Sequence, residues 1–174
     1  TVSPEDSAFC REQYQLRRVL GDVPTGVDVD AFQPPAKPAA APVIGFLGSM
    51  DWMPNIDGVL WFAREVLPKV REQMPDVRVK IIGRNPPASI RALAADLAIE
   101  VTGTVPEVQP HAHGCRVIAV PLLAGGGTRI KIFEAMAMGV PVISTTIGAE
   151  GLPVRHGEEI EIADDAESFA QGTL

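Results

Sequence analysis

The sequence has 174 residues, 46% of them hydrophobic and 21% charged, a balance that places it among ordinary globular chains long enough for one domain, or one domain and a fragment. A net charge of −7, with Glu158, Glu159, Glu161, Asp164, Asp165 and Glu167 gathered near the end, argues against a nucleic-acid surface. No apolar run approaches the roughly 20 residues of a membrane-spanning helix, and Cys10 and Cys115 are too few and too far apart to suggest a disulfide framework or a metal site.

The first twenty residues read as a helix with a clean start: Ser3 can cap, Pro4 fits the first helical position and Asp6 completes a capping-box spacing. Residues 34–42, Pro-Pro-Ala-Lys-Pro-Ala-Ala-Ala-Pro, are a linker by composition, stiffened towards polyproline II. Strands and helices alternate from there on. Val43 to Leu47 is a buried strand. A helix starts near Asn55, with apolar residues at 59, 63, 66, 67, 70 and 74, and Pro68 inside that pattern predicts a kink or break. Val77 to Ile82 is a second strand, Ala88 to Ala98 an alanine-rich helix, Ile99 to Thr102 a short strand, and a short helical stretch follows Pro106. Val117 to Val120 and Val140 to Ser144 are strands flanking a further helix, and Ile160 to Ala163 is a last strand.

Strands separated by helices imply a parallel sheet with right-handed crossovers, a Rossmann-like three-layer α/β/α domain. In such sheets ligands bind beyond the carboxyl ends of the strands. Gly48, Gly83, Gly103 and the run Gly125 to Gly127 each lie at such an end, and four glycine loops on one rim exceed what ordinary turns require.

The last of these loops carries the strongest chemical signal. After Gly125-Gly126-Gly127, Thr128 is a candidate N-cap, and Arg129 and Lys131 then fall in the first helical turn. Cations there oppose the helix macrodipole, and an anion held between the glycine-loop N–H groups, the helix N-terminus and the two side chains would reverse the sign of that effect. From Val108 to Phe133 there is no Asp or Glu, so an acidic chain carries a local cationic island suited to a small anionic ligand. The plainer reading is a Gly-rich turn with solvated cations. Glu134 shares a helix face with Lys131, as an intrahelical ion pair or as a carboxylate for ribose hydroxyls. Neither a P-loop nor the dinucleotide fingerprint fits: no Gly-Lys-Ser/Thr follows, and Ile130 holds the place of the third glycine.

The run 125–143, Gly-Gly-Gly-Thr-Arg-Ile-Lys-Ile-Phe-Glu-Ala-Met-Ala-Met-Gly-Val-Pro-Val-Ile, resembles the donor-site signature of the retaining group 1 (family 4) glycosyltransferases, which have the two-lobed GT-B fold. Further segments resemble the family in the right order. Residues 24–34 are similar to the crossover between lobes, 43–50 to the first strand and glycine loop of the C-terminal lobe, and 81–83 and 101–105 to the second strand end and the base-contacting loop.

The resemblance implies a division into 1–42, the tail of the N-terminal lobe with its crossover and linker, and 43–174, a nucleotide-sugar-binding lobe truncated at its C-terminal end. It implies transfer of a sugar from a nucleotide diphosphate sugar to an acceptor hydroxyl with retention. Lys131, Arg129 and Glu134 would be the catalytic set, and Gly48, Ser49, Gly83, Arg84, Gly103, Thr104, Val105, Gly125, Gly126, Gly127 and Thr128 the donor-binding set. No metal or other cofactor is expected. The acceptor, a glycan or lipid-linked sugar, would be met by the absent N-terminal lobe, so the chain alone is expected to bind nucleotide without transferring sugar. A cytoplasmic location is expected, with peripheral attachment to the inner membrane face left open for the full-length enzyme.

Two departures from the pattern bear on the sugar. Gly126 stands where many members carry the first glutamate of a pair eight residues apart, and Gly48-Ser49-Met50-Asp51-Trp52-Met53-Pro54-Asn55 lacks the Arg or Lys many members place near the diphosphate. Arg84 or Arg129 could stand in. A nucleotide-sugar epimerase of the same fold, or a non-catalytic nucleotide-binding or interaction lobe, are the competing readings. Asp28-Val29-Asp30 matches a metal-binding Asp-x-Asp but sits ahead of a proline linker, and His111-x-His113 has no nearby Asp or Glu partner after Glu107, so both read as loop residues. Trp52 could stack on a base, whereas Trp61 lies in a helix and reads as core.

Overall fold

The computed structural model describes residues 1–127 and 129–174. Six parallel strands form one sheet: β1 (Val43–Leu47), β2 (Arg78–Ile82), β3 (Ile99–Gly103), β4 (Val117–Val120), β5 (Val142–Ser144) and β6 (Glu161–Ile162), in the order β3-β2-β1-β4-β5-β6. The order reverses between β1 and β4, and a crevice opens at such a switch point, outside the carboxyl ends of the strands.

Alternation along β1 explains the layering. Ile44 and Phe46 point into one core, with Val59, Phe62, Val66, Val70 and Phe169, while Leu47 faces the other, with Ile118, Val120, Ile132 and Met138. Helices therefore cover both faces, the three-layer arrangement that the alternating pattern predicts. Helices α2 (Met53–Trp61), α3 (Leu67–Gln73) and α7 (Ala166–Thr173) pack on the first face, and α5 (Gln109–Ala112) and α6 (Ile130–Ala137) pack on the second through Ala112, Ile132 and Ala135. Trp61 meets Phe169 edge to face at 5.5 Å, as a core residue should.

The expected disturbance at Pro68 takes a specific form. Residues 62–66 make a π-type turn between α2 and α3, in which the Leu67 N–H donates to the Phe62 carbonyl five residues back. A proline has no N–H to continue the regular ladder, and the wider turn absorbs the mismatch without ending the helical path. The helix also begins two residues before Asn55, at Met53.

Three other expectations need correction. The first helix, α1, covers only Pro4–Tyr14 and stops at Gln15 in a left-handed conformation (φ 50°), not at residue 20. Its Phe9 and Tyr14 are exposed, and without an apolar face to bury, the segment gains little from further turns. The start is as expected, with Pro4 in the first turn and the Ser3 hydroxyl accepting from the Asp6 N–H at 3.0 Å. The alanine-rich segment forms α4 (Ala88–Arg91) and then a tighter 3₁₀ turn over 92–95, because Asp96 takes the Ala98 N–H (2.9 Å) and the Arg71 guanidinium (2.6 Å) and draws the chain into β3. The strand expected over 140–144 begins only at Val142.

The proline-rich segment lies along the lobe. His113 Nε2 is 2.9 Å from the Gln33 carbonyl oxygen, Gln109 donates to Ala31 O (3.3 Å) and Arg116 to Ala39 O (3.1 Å). Asp28 accepts the N–H groups of Asp30 and Ala31 at 3.0 and 3.1 Å, which makes it a turn residue.

Candidate active site

The loops after β1, β2 and β3 and the first turns of α6 enclose a cavity of about 280 Å³ lined by Leu47, Gly48, Ser49, Ile82, Gly83, Arg84, Thr104, Val105, Val108, Lys131 and Glu134. A larger hollow of about 420 Å³ lies at the opposite rim of the sheet, among Pro42, Val43, Val77 and Pro141, but among its lining residues only Arg116 carries a charged side chain. The smaller cavity brings ionisable groups of unlike charge together at the switch point, and convergent polar groups distinguish a site from a void.

Two glycines make this corner possible. A Cβ on Gly83 would overlap the Gly48 carbonyl oxygen, and one on Gly48 would come within 2.7 Å of both the Lys131 Nζ and the Asn55 Nδ2. Each is held by its space, since neither lies in the left-handed region.

Lys131, the second residue of α6, reaches over the end of β1. Its ammonium donates to Asn55 Oδ1 at 2.8 Å and lies 4.8 Å from the centre of the Phe46 ring. Burial, reinforced by the Arg129 charge and opposed by Glu134, pushes its pKa down to about 7. Burial also raises the Glu134 carboxyl above the usual carboxylate range, against the pull of Lys131. Lys131 turns to Asn55 and not to Glu134, so the plain intrahelical ion pair is not what this helix face forms.

Arg129 departs from expectation. It occupies the cap position of α6, one residue ahead of the first turn, with no side-chain cap bond. Thr128, the expected cap, lies outside the described residues. Arg129 is 5% exposed: its guanidinium donates to the Gly126 and Gly127 carbonyls, the second at 2.6 Å, and lies 5.2 Å from the centre of the Trp52 ring. Nε and Nη2 are buried without a hydrogen-bond partner. Gly125, at φ 111°, is where the loop passes against Trp52; a Cβ there would lie 2.8 Å from the indole. Trp52 is thus engaged by the loop.

Arg84, the other candidate cation, is exposed and committed to a surface cluster. Its Nε is 3.0 Å from Ser49 Oγ and 3.2 Å from Asp51 Oδ2. Hydrogen bonds from Asn85 and Ser49, then the Arg84 charge, hold Asp51 below the usual carboxylate range. Asp51 thereby offsets much of the positive charge Arg84 would offer.

Of the expected site residues, the cavity joins Gly48, Ser49, Gly83, Arg84, Thr104, Val105, Lys131 and Glu134. Gly103 (φ 70°) turns the chain just ahead of Thr104, while Gly125, Gly126, Gly127 and Arg129 form a neighbouring rim outside the cavity wall. Sequence reasoning missed Asn55, 3% exposed and bonded to Lys131. Its signal was a polar side chain one residue after Pro54 on the buried face of a helix, three residues ahead of Gly58, which packs against the Pro121 carbonyl.

Comparison with known proteins agrees with this architecture. The family model for "Glycosyl transferases group 1" matches residues 41–174. The chain is 30% identical over 145 residues to a phosphatidyl-myo-inositol mannosyltransferase of Mycobacterium tuberculosis, covering 79% of this chain and 38% of that protein. Among solved structures, it superposes on Staphylococcus aureus TarM, crystallised with UDP and other ligands, with TM-score 0.74 and 14% identity over 99% of this chain and 36% of that one. It also superposes on the C-terminal domain of the group 1 glycosyltransferase LpcC of Francisella tularensis, with TM-score 0.65 and 19% identity over 84% of this chain and 85% of that one. At these identities the two structures speak to the fold, which is one Rossmann-like half of the GT-B arrangement. The chain spans little more than a third of the length of the mannosyltransferase it matches. With its fold and three quarters of its sequence accounted for in this way, the chain belongs to the group 1 glycosyltransferases.

Proposed function

We propose that this chain is the donor-binding lobe of a glycosyltransferase that moves a sugar from a nucleotide diphosphate sugar to an acceptor hydroxyl with retention of configuration. The observation that carries the reading is the joint placement of Lys131 and Glu134, one helical turn apart on α6, in a single cavity at the β1/β4 switch point. Lys131 faces the diphosphate, where its ammonium, the α6 N-terminus and the glycine-loop N–H groups stabilise the negative charge that grows as the sugar leaves. Glu134 accepts from the ribose hydroxyls, and Thr104, Val105 and Val108 wall the base. The side-chain cations and backbone dipoles carry this charge, so the scheme needs no metal.

Arg129 takes part by exchange. Folded back on two loop carbonyls with two nitrogens unmatched, it gains hydrogen bonds by turning to a phosphate. A cavity of about 280 Å³ matches a nucleoside better than a whole nucleotide sugar, so the sugar extends beyond its wall, towards the uncrowded flank of Gly126. The bound UDP of the TarM structure supports the nucleotide part of this reading. The acceptor, a glycan or lipid-linked sugar, meets a second lobe, consistent with the share of its relatives that this chain spans.

Titrating the chain with nucleoside diphosphates of each base, and assaying it with the matching nucleotide sugars, tests the proposal. Salt-sensitive binding of one diphosphate without sugar transfer is expected; robust transfer by this chain alone would refute the two-lobe division of labour.

A further inference from the structure

Lys131 is held by a neighbour that is neither an acid nor on its own helix. Asn55 is 3% exposed, sits in the first turn of α2 and spans two loops: its Nδ2 donates to the Ser49 carbonyl at 2.7 Å, and its Oδ1 accepts from the Lys131 Nζ at 2.8 Å. The orientation of the amide follows from its partners. Turned over, it would aim N–H groups at an ammonium and an oxygen at a carbonyl oxygen, both repulsive. Gly48 lies over this pair, and a side chain there would come within 2.7 Å of both partners; the Phe46 ring lies 4.8 Å from Nζ. Four residues from the β1 strand, its loop and α2 thus hold one ammonium in place.

We propose that Asn55 is the positioning residue of Lys131: it holds the ammonium at the cavity wall through a neutral acceptor and leaves the whole positive charge available to the ligand. The proposal rests on the assignment of Lys131 to the diphosphate. An aspartate at 55 would hold the ammonium as firmly, but it would cancel the charge and set a carboxylate against both the Ser49 carbonyl and an incoming phosphate. An apolar residue would leave the ammonium buried with no acceptor, an expensive arrangement that favours loss of the proton. The charged groups around Lys131 are Arg129 and Glu134 from its own segment and Arg84 from the loop after β2, which lines the same cavity and is paired with Asp51. Phe46, Gly48 and Asn55, which face it from β1 and α2, carry no charge, so Asn55 is the contact through which that side of the site sets the lysine's proton affinity.

Two substitutions of opposite sense test this on the 174-residue chain. The pKa of Lys131 is followed by NMR of the lysine side chains, assigned with Lys131→Arg, and affinity for inorganic pyrophosphate is measured by calorimetry. Asn55→Leu removes the acceptor and should lower the Lys131 pKa by about one unit, with pyrophosphate binding at pH 7.5 falling about tenfold. Asn55→Asp, which retains the shape and a polar group, should raise the pKa by a unit or more and still weaken pyrophosphate. A role confined to packing would not move the pKa in opposite directions. An unmoved Lys131 pKa in Asn55→Asp overturns the proposal, even where Asn55→Leu fails to fold. Unchanged pyrophosphate affinity in Lys131→Ala would instead refute the diphosphate assignment beneath it.

Discussion

Gly83 and Gly48 lie against each other where the loops after β2 and β1 meet, so closely that a single methyl group on Gly83 would overlap the Gly48 carbonyl oxygen. The Gly48 N–H donates to Ile82 O at 3.0 Å, which ties the two loops one residue before the contact. Neither loop can shift without moving the cavity wall. Gly83→Ala should therefore cost about 1–3 kcal/mol of stability, as overpacking does. Urea unfolding measures that cost, and nucleotide binding should fall with it, because the displaced loop carries Gly48 and Ser49.

Gly126 offers the contrast. An added Cβ there meets nothing within 4 Å, and its backbone lies outside the left-handed region. Gly126→Ala should change the unfolding free energy by no more than about 0.5 kcal/mol in the same urea experiment. A large loss would mean that the glycine loop is packed more tightly than its open flank indicates.

The buried lysine makes stability depend on pH in a defined direction. The Lys131 pKa falls from 10.5 to about 7 on folding. Between these values the unfolded chain binds more protons than the folded one, so stability rises with pH. The penalty for burying the charge is fully present below about pH 7 and is relieved as the lysine loses its proton. Between pH 7 and pH 9 the parent should gain about 2 kcal/mol relative to Lys131→Met, which lacks the titrating group. Guanidinium unfolding of both proteins across this range measures the difference. A pH-independent difference would place Lys131 in solvent.

The proposed role of Glu134 at the ribose predicts a difference between nucleotide and phosphate. Its carboxylate repels a diphosphate and attracts only hydroxyls, so Glu134→Gln should weaken a nucleoside diphosphate while leaving pyrophosphate binding equal or slightly tighter. Calorimetry with the two ligands decides this. Unchanged nucleotide affinity would return Glu134 to a structural role on the α6 face.

The alternation of apolar strands with helical periods was enough to read the three-layer sheet, and the first strands are the plainest, short runs that end at a glycine, as Val43–Leu47 before Gly48 and Arg78–Ile82 before Gly83 illustrate. Lys131 and Glu134 were legible for a similar reason: a cation against the helix dipole and a carboxylate one turn later are local signals. Asn55 was not, since its partner lies 76 residues away and only the packing of α2 against the β1 loop brings them together. Arg129 was misplaced because a cap at Thr128 would put it in the first turn, whereas its guanidinium is taken up by the loop carbonyls before α6 begins. Helix α1 ran short because sequence periodicity cannot show that Phe9 and Tyr14 have no surface to cover.

The central claim is that Lys131 meets the phosphates of a nucleotide in the cavity at the switch point. Calorimetric titration of the parent chain and of Lys131→Ala with the nucleoside diphosphate that binds best in a panel of bases, and with its nucleoside, tests it most directly. Lys131→Ala should weaken the diphosphate by about 1.5–3 kcal/mol, the range for a hydrogen bond to a charged group, and the nucleoside much less. Equal losses for diphosphate and nucleoside, or diphosphate affinity untouched by the substitution, would contradict the claim.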